Sequence, residues 1–328
     1  MKEPEVILDL SNDEYHGEKD HISSSKLKVA YSNIEEFEHD YVKKLKVQKS
    51  SEAMDLGTVI HVVTLEDHLF EKEVAIYEKE KVKKLVEANK KKLDKEIKEQ
   101  IKNKALGKKV LTQKEIKAKY KDITKEKYFA EEFKKQNPNK TIITDKQYEV
   151  VKHNRIKLSE YPEALELVRD GVAETSIFFQ HPSGKLMKTR PDYLSLKEDH
   201  VHIVDVKTCH YSPTPKNFKR KGIDDLLYGL SAAKYIHSAN LAYKLPVKFT
   251  WLVCQTKPPY SVAVFHCDQD TYLEGFKQYN AAVDALIEAE KTNNYRLQKK
   301  PAFLQEPLCI EGITEEPTDL FVHGEVCE

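Results

Sequence analysis

The sequence predicts an α/β protein: a mixed central sheet flanked by helices, with an added helical region at the N-terminus and a lysine-rich helical insertion. Three observations carry that expectation. Between residues 174 and 208 apolar residues come in short β-branched and aromatic runs separated by turn residues, the signature of strands. A helical pattern over about 216–243 then separates those strands from two more, which is the order of a crossover within one sheet. Upstream, from residue 79 to about 140, lysines alternate with apolar residues at helical spacing.

Taken in order, HISSSKL offers Ser23, Ser24 and Ser25 as N-caps for a helix whose apolar face runs through Leu27, Tyr31, Ile34 and Phe37. AMDLGTVIHVVTLEDHLF (53–70) places Leu56, Val59, Ile60 and Val63 on another helical face, with His61 at its edge. In the lysine-rich stretch Val82, Leu85, Val86, Leu93, Ile97 and Ile101 keep helical register. DKQYEVVKHNRIKLSEYPEALELV reads as a further helix, with Pro162 marking a break or a new first turn. ETSIFFQ (174–180), LMKTRPDYLSL (186–196) and HIVDVKT (202–208) read as three strands joined by the turns HPSG and KEDH. After the crossover helix come VKFTWLVCQ and SVAVFHCD as strands and DTYLEGFKQYNAAVDALIEAEKT as the closing helix. The expected organisation is an N-terminal helical part over 1–78, the insertion over 79–140, a catalytic core over 141–300 and an acidic tail over 301–328.

A chain of 328 residues can bury a full core, and a composition of 40% hydrophobic and 33% charged residues, with mean hydropathy −0.64, is that of a water-facing protein. No apolar run reaches membrane-spanning length, and MKEPEVILDLSNDEYHG lacks the layout of a signal peptide, so a cytoplasmic setting without membrane contact is expected. Cys209, Cys254, Cys267, Cys309 and Cys327 form no CxxC pair, which points to reduced thiols rather than a zinc or iron–sulfur site. Net charge is zero but unevenly placed: residues 79–128 hold 19 lysines against 8 acids. Such a run either tracks phosphates or is a solvated helical face laced with Glu–Lys pairs.

The informative stretch is KTRPDYLSLKEDHVHIVDVKTC, residues 188–209. VHIVDVKT has the make-up of a buried strand, yet it contains Asp205 and Lys207, and Asp192 follows Arg190 and Pro191 in the preceding segment. Residues two apart on a strand share a face, so Asp205 and Lys207 share one, as do Lys188, Arg190 and Asp192 on theirs. If the two strands pair around KEDH, the two aspartates approach each other. Two close carboxylates repel unless a cation lies between them, and oxygen ligands favour a hard divalent ion such as Mg²⁺, with Mn²⁺ able to substitute. Glu174, on the strand before, adds a third carboxylate. Taken alone, Asp-x-Lys in a strand is equally the pattern of an ion pair at a strand end, and Pro-Asp that of a turn.

RPD at 190–192 followed by VDVKT at 204–208 resembles the signature of the PD-(D/E)XK nucleases. HISSSKL, GTVIH (57–61), ETSIFF (174–179) and QTKPPYSVAVFHCD (255–268) are similar to the RecE-like (exonuclease VIII-type) branch of phage and prophage recombination exonucleases, over most of the chain except about 79–140 and the tail. The resemblance implies a PD-(D/E)XK core in which His61, Asp192, Asp205 and the carbonyl of Val206 hold the metal, and Glu174, Asp192, Asp205 and Lys207 are catalytic. It also implies substrate contacts from Arg190, Tyr235 and the position held by Ser231. There the family commonly reads Y-x-x-Q-x-x-x-Y, whereas YGLSAAKY keeps Tyr228 and Tyr235 and puts Ser231 in place of the glutamine. The implied activity is Mg²⁺-dependent 5′-to-3′ digestion of linear duplex DNA ends by a ring-shaped homo-oligomer such as a tetramer, working with a single-strand annealing protein. An endonuclease on the same fold and a catalytically silent DNA-binding scaffold are the alternatives.

Overall fold

The computed structural model describes residues 3–46 and 51–296; the acidic tail expected over 301–328, with Cys309 and Cys327, lies outside the described residues. The chain forms two compact units. One comprises Met1–Gln48, Glu163–Gln255 and Ser261–Glu328, the other Lys49–Pro162 and Thr256–Tyr260. The described residues include ten strands in chain order: β1 Glu5–Ile7, β2 Val74–Tyr77, β3 Thr141–Thr144, β4 Val172–Ala173, β5 Ser176–Gln180, β6 Leu186–Thr189, β7 Tyr193–Leu196, β8 Val201–Cys209, β9 Val247–Gln255 and β10 Val262–His266. No helix among the described residues is long and apolar enough to cross a membrane.

The first unit holds a mixed five-stranded sheet, ordered β10-β9-β8-β7-β4, and a three-stranded antiparallel sheet, ordered β1-β5-β6. β8 pairs antiparallel with β7 and parallel with β9, so the central sheet is mixed, as expected. The parallel pair requires a crossover, and the Tyr228–Tyr243 helix supplies it. Ala232 and Ala239 of that helix pack with Ile203, Phe249, Trp251 and Val253 of the sheet. Leu230, Tyr279 and Leu286 form a second cluster with Leu27, Ile34 and Phe37 of the face read from HISSSKL and with Ala30, while Tyr31 of that face is exposed. Ser23 caps that helix through Lys26 N. Close packing of the crossover helix on the Gln269–Thr292 helix depends on glycine at the contact: a Cβ on Gly275 would lie 2.2 Å from the Gly229 carbonyl oxygen.

Two strand expectations are corrected. LMKTRPDYLSL is not one strand but two, β6 and β7, belonging to different sheets. Pro191 has no N–H to give to a ladder and holds Arg190 extended, so the chain leaves one sheet at Arg190 and joins the other after Asp192. ETSIFFQ likewise begins outside a strand. Glu174, with φ of +54°, lies between β4 of the five-stranded sheet and β5 of the three-stranded one. The expected helix over 216–243 is also interrupted. Pro215–Phe218 runs into a wide π-helical turn, Lys219–Asp225, and Leu227 (φ +53°) resets the axis before Tyr228.

In the second unit, the Glu52–Leu65 and Asp145–Ser159 helices enclose Val59, Val63, Phe70, Val74, Ile143 and Val151. β2 and β3 pair in parallel, Val74 opposite Thr141 and Tyr77 opposite Thr144, a pairing the sequence pattern did not suggest. Between these strands stand three helices, Lys79–Ala105, Gln113–Tyr120 and Glu126–Gln136: the lysine-rich segment is a helical arm rooted on a two-stranded ribbon.

Candidate active site

The site begins where both chain segments change sheets. Glu174 N donates to the Asp192 carbonyl (3.1 Å), tying the two crossing points together. The β7–β8 register places Tyr193 opposite Val204, so one step further along the same ladder brings Asp192 level with Asp205. The hairpin around KEDH thus does what the spacing predicts. Asp192 Oδ2 accepts from Val206 N (2.7 Å), which fixes its carboxylate against β8.

Asp205 is buried, with 3% of its surface exposed, and forms an ion pair with Lys207 on the same face of β8. The Lys207 ammonium also lies 3.9 Å from Asp192 Oδ2 and donates to the Val206 carbonyl (3.2 Å). Burial alone would lower the lysine, but the charges of Asp205 and Asp192, with the hydrogen bond to Asp205, outweigh it and hold it above its ordinary value. An isolated ammonium at this depth would cost several kcal/mol, and two unpaired carboxylates more. The arrangement is stable because three oxygen donors converge on one positive charge.

That convergence also tests the fit of a metal. Asp192, Asp205 and the Val206 carbonyl are the donors expected to hold a hard divalent ion, and they already face a common cation. Oxygen donors of this kind, two of them anionic, suit Mg²⁺ or Mn²⁺. Among the described residues, no group of three or more His, Cys, Asp or Glu side chains is gathered for a metal. His61 stands half-buried on the Glu52–Leu65 helix of the second unit, beside the buried Ile60 and Val63.

The remaining expected residues divide in two. Tyr235, on the crossover helix, packs against Phe249, and its hydroxyl is pushed well above the usual range by burial and then by the charges of Asp205 and Asp192. Arg190, by contrast, is buried, 7% exposed. Its fork donates to Ser176 Oγ (2.8 Å), Asn12 Oδ1 (2.8 Å) and the Leu10 carbonyl (2.9 Å), and its plane lies over the Tyr15 ring. Glu174, 41% exposed at its side chain, is 3.8 Å from the same guanidinium. Arg190, expected to contact substrate, thus gives its hydrogen bonds to Ser176 and the N-terminal segment. Ser231 is buried, 9% exposed, in the second turn of the crossover helix.

Sequence reasoning missed Lys28. Its ammonium lies 4.9 Å from the Tyr228 ring centroid, and that of Lys207 lies 5.4 Å from the same ring. Burial, and then the Lys207 charge, pull Lys28 down to about 8. Beside Leu27 it reads as an ordinary surface lysine, so no local pattern marks it. Lys188, placed by the sequence on the face of Arg190 and Asp192, is buried, and the buried Lys234 was missed. Lys188 reaches the Tyr15 and Glu18 carbonyls, and Lys234 reaches those of Ile22 and Lys188 (2.6 and 3.0 Å). They strap residues 15–22 to the site's floor.

Residues 107–296 match the family described as "PDDEXK-like domain of unknown function (DUF3799)". A crystal structure described as a "Putative exonuclease" from Eubacterium rectale is similar at 10% identity, covering 89% of this chain and 96% of that one with a TM-score of 0.52, which indicates a shared fold. The crystal structure of SSO0001 covers 76% of this chain and 90% of its own at 13% identity, with a TM-score of 0.26, too low to indicate a common fold. No curated protein matches the chain.

Proposed function

Starting from a chain that belongs to the PDDEXK-like family DUF3799, we propose a metal-dependent exonuclease that digests linear duplex DNA from its 5′ ends. One observation carries the reading: Asp192, Asp205 and the Val206 carbonyl converge around Lys207 where two sheets meet. Two carboxylates at one place are what a metal-assisted phosphodiester hydrolysis would use. When bound, a divalent ion supplies Lewis-acid charge at the phosphate and a more acidic water. The residues do the rest. Asp192 and Asp205 would hold the ion with the Val206 carbonyl. Lys207 positions the attacking water or offsets charge on the phosphate, and Glu174, steadied by Arg190, extends the acidic edge toward solvent. Tyr235 walls the site from the crossover helix. The RecE-like motifs support 3′ overhangs as product, a ring-shaped homo-oligomer and a single-strand annealing partner.

The test is digestion of end-labelled linear duplex DNA in Mg²⁺ beside closed circular DNA, with wild type and Asp205→Ala. Loss of the linear substrate alone, with the mutant inert, is the expected result. Cutting of the circle makes the protein an endonuclease. A folded protein that binds DNA and cuts neither form in Mg²⁺ or Mn²⁺ is a scaffold.

A further inference from the structure

The arm of the second unit carries its charge in an uneven way. Near its root and along its middle some lysines are paired, Lys81 with Glu78 (2.8 Å), Lys83 with Glu80 (3.1 Å) and Lys119 with Glu96 (3.1 Å), and others such as Lys84, Lys91 and Lys95 are not among the described residues, but acids are interspersed throughout. At the tip the acids thin out. Residues 101–117 contain Lys102, Lys104, Lys108, Lys109, Lys114 and Lys117, all exposed, against a single acid, Glu115. That acid is engaged, since its carboxylate accepts from Thr112 N (2.7 Å) and Thr112 Oγ1 (2.8 Å) in the capping box of the Gln113–Tyr120 helix. Among the described residues, none of the six lysines makes an ion pair.

The tip is also a built surface. Gly107 (φ +71°) reverses the chain, Lys108 N closes on the Asn103 carbonyl, Leu111 N bonds Gln100 Oε1 and Ile116 is fully buried beneath. Six like charges are thus held on a folded scaffold with a single acid among them. The Lys79–Ala105 helix has 27 residues, about 40 Å of rise, so this charge stands a long helix away from the β2–β3 root.

We propose that the arm tip is a contact surface for the phosphate backbone of duplex DNA. The inference deepens the nuclease reading, resting on it for the identity of the polyanion. Lysine fits this role: it is a compact point charge that positions a duplex without reading its sequence. No aromatic residue lies within 101–117 to stack on bases, which disfavours a single-stranded ligand. Ile101, Leu106 and Leu111 are exposed but separated by lysines, which disfavours an apolar protein interface.

The experiment measures binding of a short labelled blunt duplex in EDTA, where no cleavage occurs, across KCl from about 50 to about 200 mM. Each phosphate contact contributes about 0.9 to the slope of log affinity against log salt, so replacing all six lysines with glutamine is expected to flatten the slope by about 3–5. The six-arginine variant is expected to keep the wild-type slope. Circular dichroism checks that both retain their helix. A glutamine variant that is folded and flattens the slope by less than about 1 per pair of lysines overturns the proposal. So does an effect seen instead in Leu106→Ser with Leu111→Ser, which would mark a protein interface. Cleavage of linear DNA by wild type is scored separately. Steep salt dependence without cleavage defeats the exonuclease reading alone, and cleavage with an unchanged slope in the glutamine variant defeats the arm proposal alone.

Discussion

The sheet junction and the lysine arm are both concentrations of charge, and they are built on opposite principles. At the junction one lysine, Lys207, is buried among Asp192, Asp205 and the Val206 carbonyl, so every charge has a fixed partner. At the arm tip six lysines face solvent without one. In the interior a charge is tolerated only where its partners are geometrically specified, so a single atom change is costly. At the surface water screens each charge, so effects are small individually and matter only as a sum.

The largest expected effect breaks the junction. Asp205→Asn keeps the shape of the side chain while removing a ligand charge, and Mg²⁺-dependent cleavage should fall by about a thousandfold or more in a gel assay. A result within tenfold of wild type would show that the convergence of donors is not catalytic. Next comes Lys207→Met, which leaves Asp192 and Asp205 facing each other without their ammonium. Its melting temperature should rise on adding Mg²⁺ by more than that of wild type, because the ion replaces the lost cation; equal responses would place metal binding elsewhere.

Gly275→Ala sharpens the same point through packing. Its Cβ would fall 2.2 Å from the Gly229 carbonyl oxygen, at the base of the helix that carries Tyr228 and Tyr235. A loss of about 1–3 kcal/mol in urea melts is expected. A smaller effect follows from Lys28. Burial depresses it to about 8 in the fold, against its ordinary value when unfolded, so the unfolded chain binds more protons between those values and stability contributed here rises with pH. Lys28→Met should therefore be more stable than wild type at pH 7 by about 1–2 kcal/mol, with the advantage shrinking towards pH 10. A pH-independent difference would mean that the lysine is not desolvated. Smallest of all, Lys95→Gln or Lys102→Gln in the arm should change stability by no more than about 0.5 kcal/mol by the same melts.

Much of this was written in local patterns. Asp205 and Lys207 two apart in a β-branched run, and Asp192 after Arg190–Pro191 before a turn, are enough to bring both carboxylates to one place once the hairpin pairs. Helical spacing marked the arm, and the serines of HISSSKL marked a helix start that Ser23 does cap. These features depend on neighbours within a few residues, where periodicity and capping act.

Other features have no local cause, and only the tertiary structure decided them. That Pro191 and Glu174 are crossing points between two sheets depends on how strands far apart in sequence pair. Arg190 is absorbed by Leu10, Asn12 and Ser176, and Lys28 meets Lys207 across Tyr228; neither is visible from adjacent residues. The sequence by itself determined which residues could carry the chemistry, because a charge inside an apolar strand is anomalous wherever the strand goes. Which charges are displayed and which are locked into the fold was decided by burial and by partners brought from elsewhere in the chain, since the energy of an ion depends on what surrounds it in space.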